Sequence, residues 1–155
     1  MLSQTSPSRR KTGKSRGLFS LFARAPAPEE THRIYAVGDI HGRADLLDVL
    51  LEKIVRDASL APATQSLVFV GDYIDRGPNS RGVIERLLDP LEGFETYHLR
   101  GNHDQAMLDF LENPSSYRKW RRFGADETLF SYDVEPPTEY ETAIALARDE
   151  LAEKL

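Results

Sequence analysis

Cysteine is absent from this 155-residue chain. Its absence excludes a disulfide framework, a thiolate nucleophile and any Cys-ligated zinc or iron–sulfur site, and it fits a cytoplasmic protein. Long hydrophobic runs are missing as well. The apolar island near the front, "GLFSLFA" at 17–23, is too short to span a bilayer and lacks the features of a secretory peptide. No transmembrane segment is expected. Acidic residues are missing from residues 1–28, where Arg9, Arg10, Lys11, Lys14, Arg16 and Arg24 give +6, so the other 127 residues carry −11 of a whole-chain −5. Rich in Ser, Pro and Arg and without apolar periodicity, residues 1–30 read as a basic disordered tail before a domain over 31–155. The tail's "TGKS" at 12–15 is not a phosphate-binding P-loop: Ser8 stands where that loop needs glycine, and no strand precedes it. The tail shows no recognisable binding fold, and the acidic body repels phosphate backbones, so specific nucleic-acid binding is not expected.

What is present is a repeated unit. "RIYAVG" is a short β-branched and aromatic run, followed by a polar loop and then "LLDVLLEKIVRDA", where Leu46, Leu47, Leu50, Leu51, Ile54 and Val55 recur at helical spacing. The order returns in "SLVFVG", "DYIDRGPNS" and "RGVIERLLDPL", and again in "FETYHLRG", "NHDQ" and "AMLDFLE". Strand, loop and helix in succession predict an α/β fold with a parallel sheet and crossover helices. Beyond residue 113 a short helix and a loop are expected, then a breaker at Pro136 and Pro137. A final helix over 138–155 has Ala143, Ile144, Ala147, Leu151 and Leu155 on its apolar side.

The polar loops all follow strands, at the sheet end where ligands of open α/β sheets gather. They read "GDIHG" at 38–42, "GDYIDRG" at 71–77 and "GNHD" at 101–104. Gly38, Gly71 and Gly101 stand directly before Asp39, Asp72 and Asn102, where absence of a side chain allows a sharp turn and close approach to a ligand. Asp39, His41, Asp72 and Asn102 offer hard oxygen and nitrogen donors that suit manganese, iron or zinc. Carboxylates crowded at one point repel each other unless cations lie between them. Asp72, from the middle loop, is the candidate bridge between two ions. His98 lies within a strand run, His32 lies on the tail side, and neither is given a role. "YRKWRRF" at 117–123 is a basic aromatic patch. Packing of Tyr117, Trp120 and Phe123 from an amphipathic helix accounts for it.

With these motifs in this order, residues 33–135 resemble the metallophosphoesterase, or calcineurin-like, superfamily. "GDYIDRG" resembles in particular its branch of phosphoprotein phosphatases and diadenosine tetraphosphate hydrolases. The resemblance implies a β-sandwich flanked by helices and two divalent metal ions, Mn²⁺ first, with Fe or Zn as alternatives. The first ion would be held by Asp39, His41 and Asp72, and the second would share Asp72 and add Asn102. A metal-bridging hydroxide would attack phosphorus in line. His103 would protonate the leaving group, Asp75 would orient His103, and Arg76 and Asn102 would contact the phosphate. Arg100 is either a further phosphate contact or part of a structural salt bridge.

The chain also departs from that pattern. No histidine follows His103, so the two later histidines that complete the second site in such enzymes have no counterpart, nor does a later arginine or the second half of the sandwich. The chain therefore reads as the N-terminal part of the domain. Its second metal site would be incomplete, and an exposed sheet edge and apolar face would favour self-association or a partner. The implied substrate is a phosphoprotein or small phosphoester. A dinucleoside polyphosphate, and an inactive fragment or non-catalytic phosphate- or partner-binding module, are the alternatives.

Overall fold

The computed structural model describes residues 32–60 and 63–155. The basic tail and its "GLFSLFA" segment lie outside the described residues. Three strands form a parallel sheet in the order β1 (His32–Val37), β2 (Thr64–Phe69) and β3 (Glu95–His98). β1 pairs with β2 from His32↔Thr64 to Val37↔Phe69, and β2 with β3 from Ser66↔Glu95 to Phe69↔His98. Helices α1 (Ala44–Ala58) and α2 (Ser80–Leu88) cross between them. Sequential parallel strands joined by right-handed crossovers place both helices on one face, and Leu51 of α1 belongs to one core cluster with Leu67 and Phe69, with Leu87 of α2 packed against it. Asn79 caps α2 by accepting the Gly82 N–H at 2.8 Å, which satisfies one of the orphan donors of the first turn.

α3 (Asn102–Glu112) starts directly beyond β3. A 3₁₀ turn at Pro114–Ser116 leads into α4 (Tyr117–Arg121), α5 (Ala125–Ser131) and finally α6 (Glu141–Lys154). The region expected to hold one short helix thus holds two, because Gly124, at φ 100°, turns the chain between them. Phe110, Tyr117 and Trp120 form the aromatic part of the core, with ring centroids 5.6 and 5.2 Å from Phe110. α6 buries Ile144, Ala147 and Leu151 but leaves Leu155 exposed.

Side chains alternate across the sheet. Tyr35, Leu67 and Phe69 face the helices, so Ile34, Ala36, Val68 and Tyr97 face the other way, with Val70 and Leu99 continuing the same rows beyond the strands. Ile34 (64% exposed), Val70, Tyr97 and Leu99 stay open on that face. On α1 the predicted apolar stripe is split: Leu47, Leu51 and Ile54 are buried, whereas Leu46, Leu50 and Val55 are exposed. His32, assigned to the tail side from sequence, is the first residue of β1, its Nε2 3.1 Å from Ser66 Oγ.

Candidate metal centre

The three strand-end loops are stitched to each other through backbone hydrogen bonds. The N–H groups of Ile40 and His41 both donate to the Asp72 carbonyl at 3.0 Å, and Gly42 N–H donates to the Tyr73 carbonyl at 2.8 Å. The third loop joins through Asp104, whose carboxylate accepts N–H groups from Gly101 and Asp72 at 2.8 Å each and from Tyr73 at 3.0 Å. Asp104 is the third residue of α3, so its bond to Gly101 is the carboxylate half of a capping box. Its other two bonds tie α3 to the middle loop. A fitted glycine pair lies at the same junction: a Cβ on Gly71 would sit 2.2 Å from Gly101 N, and one on Gly101 would sit 2.0 Å from Asp72 Oδ1. These two glycines thus let loop approach loop. Gly38, expected to serve the same purpose, has open space around its Cβ position and no positive φ.

Within this frame His41, Asp72 and His103 come together, with one donor atom from each lying within 4.8 Å of the others. Asp39 joins them from the same loop as His41, its Oδ2 3.6 Å from His41 Nε2. Asp72 Oδ1 accepts the His103 backbone N–H at 3.0 Å, which aims the carboxylate at the start of α3. His41 is oriented by its Nδ1, 2.9 Å from the Ile74 carbonyl, leaving Nε2 turned to the cluster. Ligands held about 2.0–2.6 Å from a common cation lie within about 5 Å of each other. The mixed carboxylate and imidazole set therefore fits a divalent ion of the manganese, iron or zinc type.

Beside the donors stands a buried dyad. His103 Nδ1 is 2.8 Å from Asp75 Oδ2, with side-chain exposures of 3% and 0%. Burial pushes the Asp75 carboxyl up from its ordinary range, opposed by hydrogen bonds from Thr128, His103 and Trp120. The exposed guanidinium of Arg76 spans the cluster, with Nη1 3.1 Å from His41 Nε2 and Nη2 3.2 Å from His103 Nε2. An open cavity of about 500 Å³ lies beyond Arg76 and is lined by Arg121, Arg122, Phe123, Asp126 and Glu127 as well.

Two expected site residues stand apart from these contacts. Asn102 is the exposed first residue of α3, and its side chain makes no hydrogen bond to another described residue. Arg100 Nη1 donates to Gln105 Oε1 at 3.0 Å, a local contact that is neither a salt bridge nor directed at the cluster. Asp104, Trp120 and Thr128 were not singled out from sequence as site residues. Only Asp104 carried a readable sign, as a carboxylate at the third position of a helix.

Residues 32–148 match the family model described as calcineurin-like phosphoesterase. The symmetrical bis(5'-nucleosyl)-tetraphosphatase of Dechloromonas aromatica is 39% identical over 95 residues, which are 61% of this chain and 30% of that protein. Serine/threonine-protein phosphatase 1 of Salmonella typhimurium is 37% identical over 106 residues, 68% of this chain and 44% of that protein. A crystal structure assigned to a candidate diadenosine tetraphosphatase aligns with a TM-score of 0.40 and 32% identity, over 77% of this chain and 44% of that one. This chain spans less than half the length of each of these relatives. Matched along most of its length, with its polar loops gathered at the carboxyl end of a parallel sheet, the chain belongs to the calcineurin-like phosphoesterase family.

Proposed function

We propose that this chain carries the metal-dependent hydrolysis of phosphoric esters, directed at serine/threonine phosphoproteins or small phosphomonoesters. The observation that carries the reading is the juxtaposition of the donors of His41 and Asp72, with Asp39 alongside, a buried His103–Asp75 dyad and the guanidinium of Arg76. Divalent cations, Mn²⁺ first, would be held by Asp39, His41, Asp72 and Asn102, and would supply an activated water and a Lewis acid. Arg76 binds the phosphoryl oxygens, and its planar fork suits them. With Arg76 drawn from His103 to the phosphoryl group, His103 as imidazolium gives its Nε2 proton to the departing oxygen. Asp75 accepts the Nδ1–H bond, fixes the tautomer, and stabilises the positive ring before the proton leaves. Asn102 adds a phosphate contact from the exposed start of α3.

A dinucleoside polyphosphate is the second substrate reading. The cavity beyond Arg76 gives room past the scissile phosphorus, with Arg122 in its wall beside Asp126 and Glu127 and with Arg121 paired to Asp126 at 3.1 Å. The test is turnover of para-nitrophenyl phosphate in Mn²⁺ by the full chain, beside Asp72→Asn and His103→Ala. Turnover reduced about 100-fold or more by each substitution supports the reading. No turnover, or turnover indifferent to both, overturns it and leaves a phosphate- or partner-binding module. A phosphoserine protein and a dinucleoside tetraphosphate, compared by kcat/KM, then decide the substrate.

A further inference from the structure

Asp75 draws its partners from a stretch of chain that the three loop motifs do not reach. Trp120 Nε1–H lies 3.0 Å from Oδ2 and 3.1 Å from Oδ1, and Thr128 Oγ1 donates to Oδ1 at 2.7 Å. The same Thr128 oxygen accepts the Asp75 backbone N–H at 2.9 Å and lies 3.0 Å from Ser80 Oγ. A threonine hydroxyl has one proton to give and two lone pairs to fill. With its proton on Asp75 Oδ1, Ser80 must be the donor to Thr128, and all three capacities are used. Thr128, Ser80 and Trp120 are fully buried, so water cannot replace any of these bonds.

The helix pair α4–α5 holds the backbone as well as the carboxylate. Asp75 and Arg76 sit at φ 72° and 67°, in the left-handed region that side-chain-bearing residues rarely occupy. Arg76 N–H reaches the Gly124 carbonyl at 3.4 Å. A Cβ on Gly124 would lie 2.8 Å from Arg76 N, so this approach needs glycine. Phe123 closes over the dyad, with its ring centroid 4.9 Å from that of His103.

We propose that Trp120 and Thr128 are positioning residues, fixing the plane of the Asp75 carboxylate and thereby the orientation and tautomer of His103. Held by His103 alone, the carboxylate is free to rotate about its last torsion and to offer either oxygen. Two donors from different helices remove that freedom. The α4–α5 pair is then a working part of the site rather than a cover over it. The inference rests on the reading of His103 as proton donor.

Two readouts on the full chain test it, using Thr128→Val, Thr128→Ser and Trp120→Phe. The first is the low-field proton resonance of His103 Nδ1–H, identified by its loss in Asp75→Asn. It is expected in the wild type and Thr128→Ser, and broadened or lost in Thr128→Val and Trp120→Phe. If it persists in a folded Thr128→Val or Trp120→Phe chain, the proposal fails. The second compares phenyl phosphate, whose leaving group needs a proton, with 2,4-dinitrophenyl phosphate, whose leaving group does not. Thr128→Val should lose about tenfold or more on the first substrate and much less on the second, with Thr128→Ser restoring both. Equal losses on the two would mark a merely structural role and overturn it. A wild type that hydrolyses neither ester sinks the hydrolase reading instead, and the resonance still decides whether the lock exists.

Discussion

His41, Asp72, Asp75 and Arg76 are four of the five non-glycine residues at positive φ among the described residues. Such backbone costs about 1–3 kcal/mol at each position and persists only where the surroundings over-determine it. Asp104 is one of the groups that does so. The residue is 9% exposed, and its carboxylate takes three backbone N–H groups from two loops. Asp104→Asn replaces one acceptor oxygen by an NH₂ facing a donor, so unfolding in urea should show a loss of about 1–3 kcal/mol, with weaker Mn²⁺ binding. Tyr73 gives a pH signature at the same junction. Its hydroxyl donates to the Leu99 carbonyl at 2.5 Å, and burial, with Asp104 nearby, pushes its pKa up to about 12 from 10.0. The folded chain thus keeps a proton that the unfolded chain gives up, so stability falls as pH rises from 10.0 to about 12. Tyr73→Phe removes this contribution. Its stability should fall less steeply than the wild type's across that window in denaturant titrations, and an identical slope would contradict the assignment.

The elements place these residues by the simplest α/β logic: strand, loop and helix repeated, with function at the carboxyl ends of the strands. Glycine substitutions separate the loops that are pressed together from the one that is free. Gly71→Ala puts a Cβ 2.2 Å from Gly101 N at φ 105°, and should destabilise by more than about 1 kcal/mol in thermal melts. Gly38→Ala, with nothing within 4 Å, should stay within about 0.5 kcal/mol of the wild type. This contrast shows what the sequence could convey. Glycine next to a polar residue was readable at all three strand ends, but contact between two loops separated by some thirty residues was not. The strands, α1, α2 and α3 followed from apolar periodicity, Asp39, His41 and Asp72 from their donor chemistry at strand ends, and Asp75, Arg76 and His103 from the family resemblance those motifs carry. Trp120 and Thr128 were hidden because their partner is Asp75, 45 and 53 residues away. Helical spacing showed Trp120 only as a core residue, which it also is.

Among the described residues the apolar surface is unevenly covered. α1 and α2 shield one sheet face, while Ile34, Val70, Tyr97 and Leu99 remain open on the other, a surface of the kind that marks an interaction site. Among the described residues β1 and β3 are the sheet's two edges, each with unpaired backbone groups on one side. Concentration-dependent self-association is expected in sedimentation velocity, and Tyr97→Thr combined with Leu99→Thr should reduce it. A chain that stays monomeric at all concentrations would contradict this. No helix among the described residues is long and apolar enough to cross a membrane. These three loops are expected to form a divalent metal centre. The direct measurement is the loss of the free Mn²⁺ six-line resonance as purified chain is titrated in. Saturable uptake by the wild type, lost in Asp72→Asn and His41→Ala chains that melt like the wild type, is the predicted result. No saturable uptake, or equal uptake by the two variants, would contradict it.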